Sequence, residues 1–522
     1  MSTLAKKLRN SPFSGLNGYG IALLALLIFW GMWMIRHSPA VAMIAVSVWG
    51  HSVPYVGNSD PLLVDITNDG VLDVIVGAGS DRPILHSASI RVMDGRTGTL
   101  VWETSLPHAP SRQPVAMDVT KDGCPDVVVT GNFDDVWVLD GQTGAIVWRL
   151  WDANADVDRL PYRFGSPVTL GDIDGDGVDD MAIIQSGLVG NTTAVRVYDR
   201  TTGEPLVELY NDVVIQNAFR KVMIGTTNAI IDVTVCHGAY CVDKSLRRGM
   251  LMDVDRVKDA LFGEPLGAPG RIMVISGTGR VLKTMAIPVL LTSQGDPLYQ
   301  PDAKRIVYGV GSATTVGQII AQHVISGTVE WAIPTQKGVV TTPLAMDNWV
   351  IATTLNGDMM AIQADTGTIV WQTRVSEHHA FLASSTIRRQ GSGWDVVGMV
   401  ATGSWPQYNG AVMIAVDGQT GGIQFRQRMG SCAVYAAPVG VDLTGDGEDE
   451  LLQLTCTATN QSQLRILDGD YQPILIETYA SNGRATPAVA DMDGDGYVDI
   501  IVARSHFLNR LYGVPPLDKR PN

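Results

Sequence analysis

Short runs of alternating apolar and polar residues, broken by Asp-Gly or Thr-Gly, fill the chain from residue 43 to residue 514. A period of two with Gly at the breaks predicts strands joined by tight hairpins, because Gly supplies the positive φ of the turn. One recurring hairpin ends on an aromatic: "VMDGRTGTLVW" at Trp102, "VLDGQTGAIVW" at Trp148, "IQADTGTIVW" at Trp371 and "AVDGQTGGIQF" at Phe425. Weaker echoes are "VYDRTTGEPLV" from Val197, "VISGTGRVL" from Val274, "VISGTVEW" ending at Trp331 and "ILDGDYQPIL" from Ile466. With an apolar strand and a "DVIV"-type strand before each hairpin, every unit reads as four antiparallel strands. A four-stranded unit repeating at about 40–55 residues cannot bury its faces alone, which predicts an all-β fold, a closed β-propeller. Counting inner strands gives up to nine blades with a degenerate stretch from 210 to 290, and because propellers usually have four to eight blades, eight are expected within a range of 7–9.

The chain ends sharpen this picture. The last unit stops at Val514 without a fourth strand, while "AVSVWGHSVPY" from Ala45 matches "TLVWETSLPHA" from Thr99. Trp49 precedes Asp65 by sixteen residues, as Trp102 precedes Asp118. The N-terminal strand is therefore expected to close the last blade. Ahead of it, residues 19–35 are an uncharged apolar run of seventeen, at the lower limit for a membrane-spanning helix. Lys6, Lys7 and Arg9 precede this run and place the N-terminus in the cytoplasm. Residues 1–18 then read as a cytoplasmic tail, 19–35 as a transmembrane signal anchor, 43–514 as an extracellular, periplasmic or lumenal propeller and 515–522 as a C-terminal tail. A cleaved signal peptide ending near Ala40-Val41-Ala42 is the competing reading. "DVDRVKDALFGEPLGAPG" from Asp253 predicts a short helix and a Pro/Gly loop between strands, a candidate partner-binding element.

Composition adds two exclusions. A net charge of −15 with no clustered Lys and Arg argues against nucleic acid as a partner. Five cysteines without CxxC spacing make neither a disulfide scaffold nor a zinc site. Cys236 and Cys241 flank a hairpin and Cys432 with Cys456 suit neighbouring strands, which leaves Cys124 as the odd one, unless all five are simply small buried residues.

The candidate chemistry sits in five nine-residue acidic loops, "DITNDGVLD", "DVTKDGCPD", "DIDGDGVDD", "DLTGDGEDE" and "DMDGDGYVD". A calcium loop offers oxygens from positions 1, 3, 5, 7 (through its carbonyl) and 9, with Gly at 6 for the sharp turn. The first loop offers Asp65, Thr67, Asp69, Val71 and Asp73, and the second Asp118, Thr120, Asp122, Cys124 and Asp126. The third offers Asp172, Asp174, Asp176, Val178 and Asp180, and the fourth Asp442, Thr444, Asp446, Glu448 and Glu450. Asp491, Asp493, Asp495, Tyr497 and Asp499 make the fifth. Up to five Ca²⁺ ions are expected, bound more tightly in the third and fifth loops, which carry four acids each. Five filled sites would bring the charge of −15 to about −5 and relieve self-repulsion, a structural role.

These loops resemble the FG-GAP or VCBS repeats of integrin α-type propellers, and the "DGxTGxxxW" hairpins resemble the quinoprotein (PQQ-type) propeller repeat, whose Trp docks neighbouring blades. The resemblance implies a calcium-stabilised propeller used for protein-protein recognition, adhesion or scaffolding, or an accessory subunit of a larger membrane complex. Quinoprotein dehydrogenases carry a vicinal cysteine pair beside their cofactor, and no two cysteines are adjacent here. A non-enzymatic protein is therefore expected. Glu377-His378-His379 reads as a solvated turn, since neighbouring strand residues face opposite ways. "GVGSATTVG" lacks the Lys of a phosphate loop.

Overall fold

The structure is a computed structural model that describes residues 46–512 apart from several connecting segments, the longest being 152–162, 210–228 and 247–269. Its strands form eight blades around a ring, and all the described elements are strands. Blade 1 comprises Leu62–Val64, Asp73–Ala78, Ala88–Met93 and Leu100–Leu106, paired in that order from the inside outward. Blade 2 spans Val115–Met117 to Ile146–Trp151, blade 4 Leu298–Gln300 to Val329–Thr335, and blade 5 Leu344–Met346 to Ile369–Arg374. Blade 6 runs from His379–Phe381 to Ile423–Gly430 and blade 7 from Val439–Val441 to Pro473–Tyr479. The second strands Asp73–Ala78 and Asp499–Arg504 are buried along their whole length, which explains their β-branched runs.

Blade 8 combines both ends of the described chain. Ala488–Ala490, Asp499–Arg504 and Phe507–Tyr512 are completed by Val46–Ser52, with Val46 opposite Tyr512 and Ser52 opposite Phe507. The expected closure by the N-terminal strand is thus observed, and it covers the edge that Phe507–Tyr512 would otherwise expose. Residues 19–35 and 253–269 lie outside the described residues, so the expected spanning helix and inserted helix fall there. No described helix is long and apolar enough to cross a membrane.

Blade 3 departs from the expected pattern. Its inner strands Arg163–Phe164 and Val168–Gly171 pair with Asp180–Ser186, but its third strand, Arg271–Ile275, comes only after an inserted sheet. That sheet orders Pro205–Leu209, Thr193–Asp199, Ala229–His237 and Tyr240–Leu246. The "VYDRTTGEPLV" echo is therefore a hairpin of the insertion and belongs to no blade.

The hydrophobic core is a ring of layers between neighbouring blades. Trp102 of blade 1 packs with Val127, Val129 and Leu139 of blade 2, and Trp331 of blade 4 with Val350 and Ile362 of blade 5. Each docking Trp also carries one directed bond: its Nε1–H donates to a carbonyl in the third-strand turn of the next blade. Trp49 donates to Gly95 O at 2.9 Å, Trp102 to Gly141 O at 2.6 Å and Trp148 to Gly277 O at 2.6 Å. Trp331 donates to Ala364 O at 2.7 Å and Trp371 to Gly418 O at 2.8 Å. The Gly of the Thr-Gly turn lies against the same indole. At Gly144 φ is +70° and a Cβ would meet Trp102 at 2.6 Å, so both turn and packing require glycine. Between blades 6 and 7 the aromatic is Phe425, stacked on Tyr471 with ring centroids 4.3 Å apart.

Candidate metal centres

All five acidic loops join the first and second strands of a blade, in blades 1, 2, 3, 7 and 8. These blades are consecutive around the ring, so the loops form one arc on a single face, the face that also carries the Thr-Gly turns. The glycines at position 6 all have positive φ, from +82° at Gly70 to +88° at Gly447, as the sharp turn requires.

Position 1 closes the turn. Asp65 accepts the N–H groups of Asp69 and Gly70 at 3.1 and 2.9 Å, and Asp118 those of Asp122 and Gly123 at 3.2 and 3.1 Å. Asp172 accepts from Gly175 and Gly177, Asp442 from Gly445 and Gly447, and Asp491 from Gly494 and Gly496. At position 5, Asp69, Asp122, Asp176, Asp446 and Asp495 each accept the N–H of position 7, namely Val71, Cys124, Val178, Glu448 and Tyr497.

Position 9 opens the second strand and is buried. Asp73 Oδ2 accepts the N–H groups of Ile66 and Thr67 at 3.0 and 2.9 Å, while its Oδ1 accepts Gly95 N–H at 3.0 Å. Asp126 repeats this with Val119, Thr120 and Gly141. Asp180 binds Ile173 and Asp174, Glu450 binds Leu443, and Asp499 binds Met492. These acids clamp the loop to the blade. Burial raises the pKa of Asp73, Asp126, Asp180 and Asp499, against the pull of their hydrogen bonds. Glu450 is pushed up to about 7, first by burial and then by the charges of Asp446 and Asp442, with the Leu443 N–H opposing.

Position 3 divides the loops into two kinds. In the third loop Asp172, Asp174 and Asp176, and in the fifth Asp491, Asp493 and Asp495, bring carboxylate oxygens within 4.8 Å of one another. Oxygens on opposite sides of a calcium ion, each about 2.3–2.6 Å away, lie at about that separation. The loops with Thr67, Thr120 and Thr444 gather no such triad among the described residues. There Thr67 and Thr120 bond through their backbone N–H to the position 9 acid, and Thr444 Oγ1 lies 3.4 Å from Glu450.

Cations of the chain itself address the two triads, a feature that motif spacing does not show. Arg510, 2% exposed, donates to Asp499 and, at 2.6 Å, to Asp493, and its Nη1 reaches Gly95 O of blade 1 at 3.0 Å. In the third loop Arg280, with a side chain 70% exposed, donates to Asp174 at 2.8 Å, and Lys121 donates to the carbonyl of Asp176 at 2.6 Å. The only sequence signal for Arg510 is a charge on the inward side of an alternating strand, in step with buried Leu508. Among the cysteines, Cys456 is disulfide-bonded, Cys124 is free and buried, and Cys236 lies opposite Cys241 in strand register. Cys432 lies outside the described residues.

The described strands thus form an eight-bladed β-propeller in which tryptophans dock neighbouring blades. In sequence, residues 302–421, from the first turn of blade 4 to the last hairpin of blade 6, match the family model described as outer membrane protein assembly factor BamB. No curated protein matches the sequence. Among solved structures, a europium-containing methanol dehydrogenase is similar at a TM-score of 0.51 and 12% identity, over 90% of this chain and 93% of that one. The quinohemoprotein alcohol dehydrogenase of Comamonas testosteroni is similar at 0.50 and 11%, over 92% and 78%. BamB from Moraxella catarrhalis aligns over 92% of this chain and 99% of its own, at a TM-score of 0.36 and 11% identity. At these identities the two dehydrogenase structures establish the fold alone.

Proposed function

We propose that this chain is a non-catalytic docking propeller, an accessory or scaffold subunit that holds protein partners in a membrane-bound complex. The observation that carries this reading is the match of residues 302–421 to the assembly-factor model. The missing vicinal cysteine pair weighs in the same direction, against the dehydrogenase chemistry of the structural neighbours. The apolar run at 19–35 would anchor the ring, and the disulfide at Cys456 suits an oxidising compartment outside the cytoplasm.

Calcium in the acidic arc is part of the same reading. The donor set is all oxygen, which suits a hard cation. Asp172, Asp174, Asp176 and the Val178 carbonyl would hold one ion and Asp491, Asp493, Asp495 and the Tyr497 carbonyl another, each braced by the position 9 acid. The third site is the better of the two, because exposed Arg280 can swing away from Asp174 whereas buried Arg510 cannot leave Asp493 and Asp499 without stranding a charge.

The test is cross-linking in intact membranes followed by affinity purification and mass spectrometry, with calcium or with chelator. A docking subunit brings down the same partners in fixed ratio. Recovery of the chain alone under both conditions, together with dye-linked alcohol oxidation on adding pyrroloquinoline quinone, would replace this reading with an enzymatic one.

A further inference from the structure

The residues that lead into the innermost strands meet on the face opposite the acidic loops. Asp60 precedes the inner strand of blade 1, Arg112 and Gln113 that of blade 2, Ser166 that of blade 3, Asp296 that of blade 4 and Thr486 that of blade 8. Asp60 accepts the Thr486 N–H at 2.6 Å, and Asp296 Oδ1 accepts the Ser166 N–H at 2.8 Å. Asp296 Oδ1 also lies 3.8 Å from Arg112 Nε, a pair that skips blade 3. Contact between non-adjacent blades is possible only near the ring axis, so this cluster sits at the mouth of the central channel.

Among the described residues, two carboxylates face one guanidinium, which leaves about one negative charge when both acids are ionised. Burial pushes the Asp60 carboxyl up to about 6, with a smaller push from the charge of Asp296, against the Thr486 hydrogen bonds and Arg112. A carboxylate offers about four lone-pair sites. Among the described residues, Thr486 supplies the donors to Asp60, and Ser166 and Arg112 face Asp296, so acceptor capacity is left over. Ser166, whose N–H binds Asp296, is 8% exposed, and its buried hydroxyl has no hydrogen-bond partner among the described residues.

We propose that Asp60 and Asp296 form a receptor for a protonated amine at the mouth of the channel. One ammonium supplies the single missing positive charge and three N–H donors, which the two carboxylates and the Ser166 hydroxyl can accept. A divalent metal would overshoot the charge beside Arg112, and an anion would meet two carboxylates. The amine is either that of a free polyamine or the lysine side chain of a docked protein. This site is independent of the calcium loops, on the other face, and of the partner reading above.

Calorimetric titration of the full chain tests it with two probes, spermidine and Nα-acetyl-lysine amide. At least one is expected to bind, with affinity rising from about pH 5 to about pH 7 as Asp60 ionises. Asp60→Asn and Asp296→Asn each lower that affinity by about tenfold or more, and Asp60→Asn also flattens the pH dependence. Asparagine keeps the acceptor oxygen for Thr486 or Ser166, so melting curves should confirm folded variants. Should a variant not fold, the pH profile of the wild type decides. Asp302→Asn, in the exposed turn of blade 4, serves as the control and leaves binding unchanged. Spermidine alone binding identifies a free polyamine, and the lysine amide binding identifies a protein side chain. Absence of binding by both probes at about pH 7.5, or equal affinity in wild type and both Asn variants, overturns the proposal.

Discussion

Blades 7, 8, 1, 2 and 3 carry eight residues between the first two strands, for example 65–72, whereas blades 4, 5 and 6 make the same reversal with 301–304, 347–348 and 391–392. Trp docking occurs in both arcs, through Trp49, Trp102 and Trp148 in the first and Trp331 and Trp371 in the second. An acidic loop is thus an added module and no requirement of the blade. The first residue of the second strand shows the contrast most sharply. In blade 1 it is Asp73, a buried acceptor that gathers N–H groups of its own blade. In blade 4 it is Arg305, a buried donor that reaches across to Ala364 O at 2.6 Å and Asp365 at 2.7 Å in blade 5. At this position the buried charge holds a loop in blade 1 and joins two blades in blade 4. The plain arc is also the part that matches the assembly-factor model.

Four measurements can break or sharpen this contrast. The largest effect is expected for Arg510→Ala, which leaves Asp499 as an unpaired buried charge at the seam and should cost about 3–5 kcal/mol in urea unfolding. Arg305→Ala in the plain arc should cost less, because its partner Asp365 is 63% exposed. Equal losses would show that the arcs do not differ in this way. Next comes calcium: at about a hundredfold excess over its Kd, an ion adds about 2.7 kcal/mol per site. Chelation should lower the melting temperature and speed amide exchange at 172–180, while exchange at 301–304 and 347–348 stays constant. Uniform acceleration around the ring would count against local sites.

Asp126→Asn should cost about 1–3 kcal/mol even without calcium, since the amide places a donor against one of the N–H groups of Val119, Thr120 and Gly141. A variant as stable as wild type without calcium would mean that this acid is a ligand and no clamp. The smallest effect, about 1 kcal/mol, is expected for Trp371→Phe and for Trp102→Phe alike, because each loses one indole N–H bond to a turn carbonyl. A loss confined to one arc would show that docking is not shared.

Much of this organisation was legible in the sequence because it repeats. The Trp hairpins, the position 6 glycines and the Trp49 spacing are periodic signals, and the ring closes as that spacing implies. The insertion in blade 3 was not legible, since the alternation in "VYDRTTGEPLV" marks a hairpin without saying which sheet it joins. The hydrogen bonding inside each loop also escaped the motif: spacing marks position 9 as a ligand but does not show that it is buried and accepts backbone N–H groups of its own blade. Arg510, Arg305 and the axial group of Asp60, Arg112 and Asp296 depend on contacts between residues far apart in the chain, and spacing carries no record of them.

The shared last blade has a consequence for biosynthesis. Val46–Ser52 leaves the ribosome first among the described strands, yet its pairing partner, Phe507–Tyr512, leaves last. A strand with an exposed backbone edge must therefore wait through nearly the whole of translation, the situation in which chaperones are needed. Stop codons that remove the final strand should yield a sticky, incomplete ring, however well the earlier blades have formed.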